Sequence, residues 1–440
     1  MTTASYSTSH DTADLSTLDA DILAFIQSEE PDPATFDALA LRLFAHQFEA
    51  NPAYQRYCRS RKATPDRLRH WSEIPAVPLT AFKRLTLTTV PEKDAAAVFM
   101  TSGSTDPASR GRNHHRHLAL YDASLLRAFC DRFLPEQTSH SSDASAGRDR
   151  MRIVVLNAPR EQSPHSSIAH FFSTLVDHRG TPDSLHLVSE DGLDVDAALK
   201  AFAHAQDTGE PLAVLGTSFS FVHLLDAMAD ADRTFQLPAR SRVLDTGGFK
   251  GKSRDVTAED LRLAFRVRLG VPEDHCANYY GMTEISTQYY DRTPLGTGPA
   301  DRAHATPATD SDASTAATTA PAGDDAPGEH AKVVPHWARL VVVDPLTRAP
   351  VPHGESGLLL HLDLANASSC LAVLSDDIGW AVGSDPTARA HTSPGLGTAD
   401  VVLRGRAAGA EARGCSLALD EVLSANRAPV APPSLSLIHI

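Results

Sequence analysis

From Asp21 onward apolar residues recur at helical spacing (Ile22, Leu23, Phe25, Ile26). A second helical stretch runs over 33–58, with Phe36, Leu39, Leu41, Leu43 and Phe44 among its apolar positions. Residues 1–16 carry no such pattern and read as disordered. The segment holding Pro75, Pro78 and Phe82 reads as extended. From about residue 96 the pattern alternates. Helices are predicted near 118–133, 166–178, 193–206, 219–228 and 257–268. Short apolar strands separate them at 152–156, 185–188, 212–215, 242–244 and 278–280. Such alternation predicts an α/β fold, a parallel sheet flanked by helices, with ligands gathered at the carboxyl ends of the strands. Past residue 332 the pattern turns to β, at 340–343, 357–362 and 372–374, with turns at Asp344-Pro345 and Gly354-Glu355. That predicts a small β subdomain. Two stretches, 137–149 and 296–332, are rich in small and polar residues and bury too little apolar surface to offset their ordering entropy; both read as flexible loops. The resulting division is a helical lead-in over 1–95, a main domain over 96–400 with an insert at 296–332, and a short C-terminal segment over 401–440.

Composition narrows the partners. The net charge is −15 over 440 residues, which disfavours a nucleic-acid groove or an anionic membrane surface. No run reaches the roughly 20 apolar residues that span a bilayer. The first 14 residues lack the basic start and apolar core of a secretory signal. The five cysteines (Cys58, Cys130, Cys276, Cys370, Cys415) are scattered and form no CxxC pair, so neither a disulfide framework nor a zinc site is expected. Reduced thiols in a cytoplasmic protein are the expectation.

Candidate chemistry starts at Thr101-Ser102-Gly103-Ser104-Thr105, which follows the apolar run 95–100. A strand emptying into Gly and hydroxyl residues suits polyphosphate: Gly103 lets the backbone approach, and hydroxyls and N–H groups face the oxygens. It lacks the Gly-Lys-Ser/Thr ending of a Walker loop. Downstream stand Asp245-Thr246-Gly247-Gly248-Phe249-Lys250-Gly251, Tyr280-Gly281-Met282-Thr283-Glu284 and Ser375-Asp376-Asp377-Ile378-Gly379. Each alone has a plain reading: a left-handed turn at Gly247-Gly248, a helix start at Thr283-Glu284, a solvated turn at Asp376-Asp377. His114-His115-x-His117 reads as a flexible basic stretch beside the first loop, because no carboxylate or cysteine completes a metal set.

In order and spacing these motifs together resemble the adenylate-forming, acyl-activating superfamily. Within it they are most similar to the acyl-protein synthetase family, the fatty-acid–luciferin-component ligases. The narrowing residues are Glu73-Ile74-Pro75-Ala76-Val77-Pro78 with Ala81-Phe82-Lys83, then Val334-Pro335-His336-Trp337 and Arg413-Gly414-Cys415-Ser416-Leu417. The resemblance spans about Ser72 to Leu423. It implies a large adenylation domain, a small β subdomain and a truncated C-terminal subdomain. About 35 residues follow Gly405, fewer than a lysine-bearing subdomain needs, which favours this family over CoA ligases.

The resemblance also implies roles. Thr101, Ser102, Gly103, Ser104 and Thr105 would hold the β- and γ-phosphates of ATP. Arg110 would replace the usual lysine, while Asp106 stands where glycine is expected. Thr283 would contact phosphate and Glu284 would carry Mg²⁺. Gly247 and Gly248, with Tyr280 and Gly281, would line the nucleotide, and Asp377 would hold the ribose. Arg406 would act at the hinge beside Gly405, and Cys415 would be the acyl-accepting nucleophile, its thiolate favoured by Arg413. Cys276 is its only rival, with Cys130 and Cys370 expected to be structural. Phe171, Phe172, Phe219 and Phe221 are candidates for the acyl pocket, or equally for core. The implied activity is activation of a fatty or similar carboxylic acid with ATP, then thioester formation on Cys415 for an acyl reductase. The alternatives are a ligase serving CoA or a carrier protein, and a degenerate adenylate-binding scaffold.

Overall fold

The computed structural model describes residues 8–102, 110–135, 150–247, 256–292, 331–382, 400–406 and 421–426. Three helices lead in: α1 (Thr8–Ile26), α2 (Pro33–Ala50) and α3 (Pro52–Ser60). The Ser/Thr-rich start is therefore helical from Thr8. Leu18, Ile22, Phe25 and Ile26 fix it by burying one face in the core. The stretch predicted as one helix over 33–58 is two. Asn51 ends α2 in extended backbone and its side chain accepts the Tyr54 N–H, capping α3, with Pro52 at the first helical position.

Next come β1 (Val77–Pro78), a 3-10 turn over Leu79–Lys83, β2 (Ala97–Met100) and β3 (Arg112–His115). The alternating region follows as α4 (Ala119–Arg132), β4 (Arg152–Leu156), α5 (Ser167–Arg179), β5 (Leu185–His186), β6 (Val188–Ser189), β7 (Gly192–Leu193), α6 (Val195–Thr208), β8 (Leu212–Thr217), α7 (Ser218–Asp230), β9 (Arg242–Thr246), α8 (Ala258–Leu269) and β10 (Cys276–Tyr280). The β region comprises β11 (Tyr289–Asp291), β12 (Lys332–Val333), β13 (Ala338–Val343), β14 (Ser356–Asp363), β15 (Ala372–Val382) and β16 (Asp400–Arg406).

One sheet of twelve strands carries both halves, in the order β13-β14-β15-β16-β12-β11-β10-β9-β8-β4-β5, with β1 added beside β15. β4, β5, β8, β9 and β10 are parallel, as the alternation predicts. β11 to β16 pair antiparallel. The β subdomain therefore continues the main sheet. The two faces of the parallel half are buried in separate apolar clusters: Ile153, Val155, Ala213 and Leu215 point into one, Val154, Leu156, Leu212 and Val214 into the other. This is the burial expected of parallel strands between helices.

Two more expectations change. β3 contains His114 and His115, which are buried and paired with Val98 and Ala97 of β2, so this stretch is a strand and no flexible basic loop. The Asp376-Asp377 pair lies within β15, not in a turn, at a register shift between Ile378 and Gly379. The far bound of the predicted insert moves, and residues 293–330 lie outside the described residues. Asp291 pairs with Lys332, the Arg292 N–H donates to the Ala331 carbonyl at 2.9 Å, and both Ala331 and Lys332 are buried. The sheet thus claims residues 331 and 332. The predicted loop at 137–149 lies outside the described residues.

Candidate active site

The first element of the site is the neck of the 101–105 loop. Thr101 and Gly111 close it: the Thr101 N–H donates to the Gly111 carbonyl at 2.9 Å, and the Gly111 N–H donates to Thr101 Oγ1 at 2.9 Å. Ser102 and Arg110 flank that neck; Gly103, Ser104 and Thr105 lie outside the described residues. A methyl group on Gly111 would stand 3.1 Å from Thr101 Cγ2, 3.4 Å from Glu284 Oε1 and 3.5 Å from Lys83 Cγ. Three distant segments therefore meet at one glycine, which stays small because they do.

Glu284 follows β10 and is 4% exposed. Burial pushes its carboxyl up to about 7, against the pull of its own main-chain N–H, Lys83 and Arg406; Asp376 pushes the same way as burial. The backbone around it is pinned from behind. Asn113 donates to the Thr283 carbonyl at 2.9 Å, and Asn366 Nδ2 donates to the Glu284 carbonyl at 2.9 Å. Asp363 Oδ2 accepts the N–H groups of Ser286 and Thr287 at 2.7 and 2.9 Å, and its Oδ1 accepts the Thr287 hydroxyl and the Ala365 N–H. Trp337 Nε1 donates to Ser124 Oγ and Thr287 Oγ1 at 2.9 and 3.1 Å, closing the network. Sequence reading names Trp337 only as a family signature and misses Asn113, Asp363 and Asn366. Asn113 lies on β3, Asp363 at the end of β14 and Asn366 in the loop just after it, 253 residues from Asn113, so no local spacing marks them as one set.

On the other side stand Tyr280, Asp377 and Arg406. The Tyr280 hydroxyl donates to Asp377 Oδ2 at 2.7 Å, and Arg406 Nε lies 3.6 Å from Asp377 Oδ1. Asp377 and Arg406 are register partners on β15 and β16. The Tyr280 ring stacks with Tyr289 and His361 at centroid distances of 6.1 and 5.8 Å. Gly405, the expected hinge position, has φ +137°, a backbone that L side chains rarely adopt.

Gly247 ends β9 with φ +81°, and a Cβ there would meet nothing within 4 Å. Its carbonyl and Asp245 Oδ2 both accept the Ser218 hydroxyl at 2.8 Å, and Asn278 Nδ2 donates to the same Asp245 oxygen at 2.9 Å. Asp245 Oδ2 thus helps hold the strand end. Gly281 is exposed, and Gly248 lies outside the described residues.

A divalent cation fits the donor chemistry at Glu284. Among the described residues no group of three or more His, Cys, Asp or Glu could hold a metal. A cation here would take one carboxylate and draw its other ligands from phosphate and water, the mode in which Mg²⁺ is commonly bound. Asp376, whose Oδ1 is buried without a hydrogen-bond partner, stands near enough to raise Glu284.

The other candidates separate cleanly. Cys58, Cys130, Cys276 and Cys370 are free and buried. Burial pushes the thiols of Cys58 and Cys276 up to about 12 and that of Cys130 to about 11, and it raises Cys370 as well. Such thiols stay protonated and make poor nucleophiles. Cys415, Arg413 and Gly414 lie outside the described residues. Phe171, Phe172 and Phe221 are core residues, and Phe219 is 43% exposed at the start of α7. His115 is held near pKa 3 by burial, with help from His170, His114 and His117. No helix among the described residues is long and apolar enough to cross a membrane.

A family model for acyl-protein synthetase, LuxE, matches residues 5–290. The chain is 22% identical over 386 residues to the long-chain-fatty-acid–luciferin-component ligase of Vibrio harveyi, covering 87% of this chain and 86% of that protein. Its counterpart in Aliivibrio fischeri is 21% identical over 351 residues, 78% of each chain. Among solved structures, an open conformation of 2-hydroxyisobutyryl-CoA ligase, in complex with 2-HIB-AMP and CoA, shares the fold with a TM-score of 0.51. The two are 13% identical, over 85% of this chain and 70% of that one. With the family model covering well over half of its length, the chain belongs to the acyl-protein synthetase family of ligases.

Proposed function

We propose that this ligase activates a fatty or other hydrophobic carboxylic acid with ATP and Mg²⁺, forming an acyl-adenylate and pyrophosphate, and then takes the acyl group as a thioester on Cys415. One observation carries the reading: the loop neck at Thr101–Gly111, the buried acid Glu284 and the Asp377–Arg406 pair converge on one place. Attack of a carboxylate on a phosphate brings two anions together, so such a site must hold positive charge and fix both partners in line. Lys83 and Arg406 supply fixed charge around Glu284. The open space at Gly247 suits a flat base, and Asp377 suits vicinal ribose hydroxyls.

Support for Cys415 comes from its rivals, since the other four thiols are buried and held protonated. Thioester formation expels AMP from the mixed anhydride as sulfur bonds to the acyl carbon. The acceptor of that acyl group would be a reductase, which the names of the relatives suggest by their luciferin component.

The test is pyrophosphate exchange into ATP with a panel of fatty acids, followed by mass spectrometry of the intact protein. Wild type is expected to exchange and to gain a hydroxylamine-labile acyl group. Cys415→Ser is expected to exchange without gaining it, and Cys276→Ser to behave as wild type. Labelling of the Cys415 variant, or transfer only to added CoA, would sink the self-acylation step. Absence of exchange with every acid would sink acid activation itself.

A further inference from the structure

Lys83 has a mounting that its place on an exposed turn does not suggest. β1 pairs in parallel with β15, Val77 opposite Val373 and Pro78 opposite Leu374, two residues before the Asp376-Asp377 pair. The 3-10 turn that follows buries Ala81 and Phe82 and is closed by the N–H groups of Arg84 and Leu85 on the Ala81 carbonyl, both at 2.9 Å. This delivers the stem of Lys83 to the loop neck, its Cγ 3.5 Å from where a Gly111 Cβ would stand. The same point lies 3.4 Å from Glu284 Oε1. Lys83 forms no ion pair among the described residues, and its charge falls on Glu284 from the side of β1 while Arg406 acts from β16.

A lysine stem packed along a phosphate-loop neck, its ammonium without an ion-pair partner among the described residues, is built to meet an anion brought there from outside. We infer that Lys83 is a catalytic residue of the activation step, its ammonium donating to phosphoryl oxygens of ATP held between the loop neck and Glu284. The assignment rests on the proposed acid activation. It differs from it in making the lead-in segment before residue 95 part of the nucleotide site. As the carboxylate oxygen bonds to the α-phosphorus and the bond to pyrophosphate breaks, charge grows on the phosphoryl oxygens, and a fixed ammonium there stabilises it more than the ground state.

The experiment is isothermal titration of wild type, K83M and K83R with MgATP in the absence of acid, alongside pyrophosphate exchange and thermal melting. K83M keeps the apolar stem and loses the charge, so it is expected to melt within about 2 °C of wild type. It should bind MgATP at least about fivefold more weakly and lose at least about tenfold in exchange. K83R should recover binding to within about threefold of wild type. K83Q replaces K83M should the latter melt early. Equal MgATP affinity in K83M or K83Q and wild type overturns the assignment, and wild-type exchange then still supports acid activation. Weakened binding in the neutral variant, with no wild-type exchange on any acid, upholds Lys83 and sinks acid activation. A wild type that does not bind MgATP overturns both.

Discussion

Glu284 and Asp363 are buried acids joined through one short piece of backbone, and the protein treats them oppositely. Asp363 accepts four hydrogen bonds, from Ser286, twice from Thr287 and from Ala365. Glu284 has its main chain held by Asn366 while its carboxylate faces the loop neck, drawn on by Lys83 and Arg406. One acid is spent on holding structure; the other is held ready. A buried carboxylate whose acceptors are all filled has no capacity left for a ligand, whereas one with spare acceptor capacity and cations nearby is set to take one. Asp291 falls with Asp363. It is filled by Lys332 on one oxygen and by Arg262 and the Asn278 N–H on the other.

The sharpest break in that contrast is Asp363→Ala. It strands buried donors on Ser286, Thr287 and Ala365 and should cost about 3 kcal/mol or more, read as a fall of several degrees in Tm. Activity would fall with it, because Glu284 loses its backing. Glu284→Gln should do the reverse: exchange drops about a hundredfold while Tm stays level or rises, since an unfilled buried charge is removed. A large loss of Tm in this variant would place Glu284 with the structural acids.

Asp291 gives a third reading. Lys332→Ala, leaving that acid short of a partner, should destabilise by about 3 kcal/mol. Replacing 294–329 with a short Gly/Ser turn should leave Tm nearly unchanged, because the Arg292–Ala331 hydrogen bond already brings the two ends together. A large drop on that deletion would mean the insert packs against the fold. The smallest effect belongs to Glu421, whose carboxyl is held below its usual value chiefly by its hydrogen bond to Arg348, with Arg61 adding to it. The contribution is present above the ordinary glutamate pKa and lost as pH falls through the lowered one. Proteolysis near residue 420 should therefore quicken below about pH 4 in wild type, and Glu421→Gln should show the faster cleavage already at pH 7.

Much of the parallel half was legible because buried strands between helices leave a continuous apolar signature, and 152–156 was read to the residue. Asn51 was legible in principle, as an Asn-Pro pair inside a helical pattern. Apolar spacing outweighed it. The Thr8–Ser16 turns of α1 were not legible, since their polar sequence is helical only as an extension of the buried face at Leu18 to Ile26. At the site, Thr101, Glu284 and Asp377 were readable as family motifs. Asn113, Asp363 and Asn366 were not, because their meaning is mutual and each looks ordinary without the others.

Residues 421–426 are helical and docked. Val422 is buried in the core, Arg61 and Arg348 hold Glu421 at 2.6 and 2.8 Å, and Asn426 meets Arg56 at 2.7 Å and the Ala53 carbonyl at 3.1 Å. β16 fixes the chain again at Arg406, so the fourteen residues 407–420 are tethered at both ends. Cys415 is nine residues from Arg406, a contour of about 30 Å at most. For the proposed transfer this makes the thiol an intramolecular reagent at an effective concentration of order millimolar, far above that of a free thiol acceptor at micromolar levels. The docked helix is then a kinetic device. Releasing it, by Glu421→Gln with Asn426→Ala, should dilute the thiol about the proposed site and slow self-acylation while leaving pyrophosphate exchange at its wild-type rate.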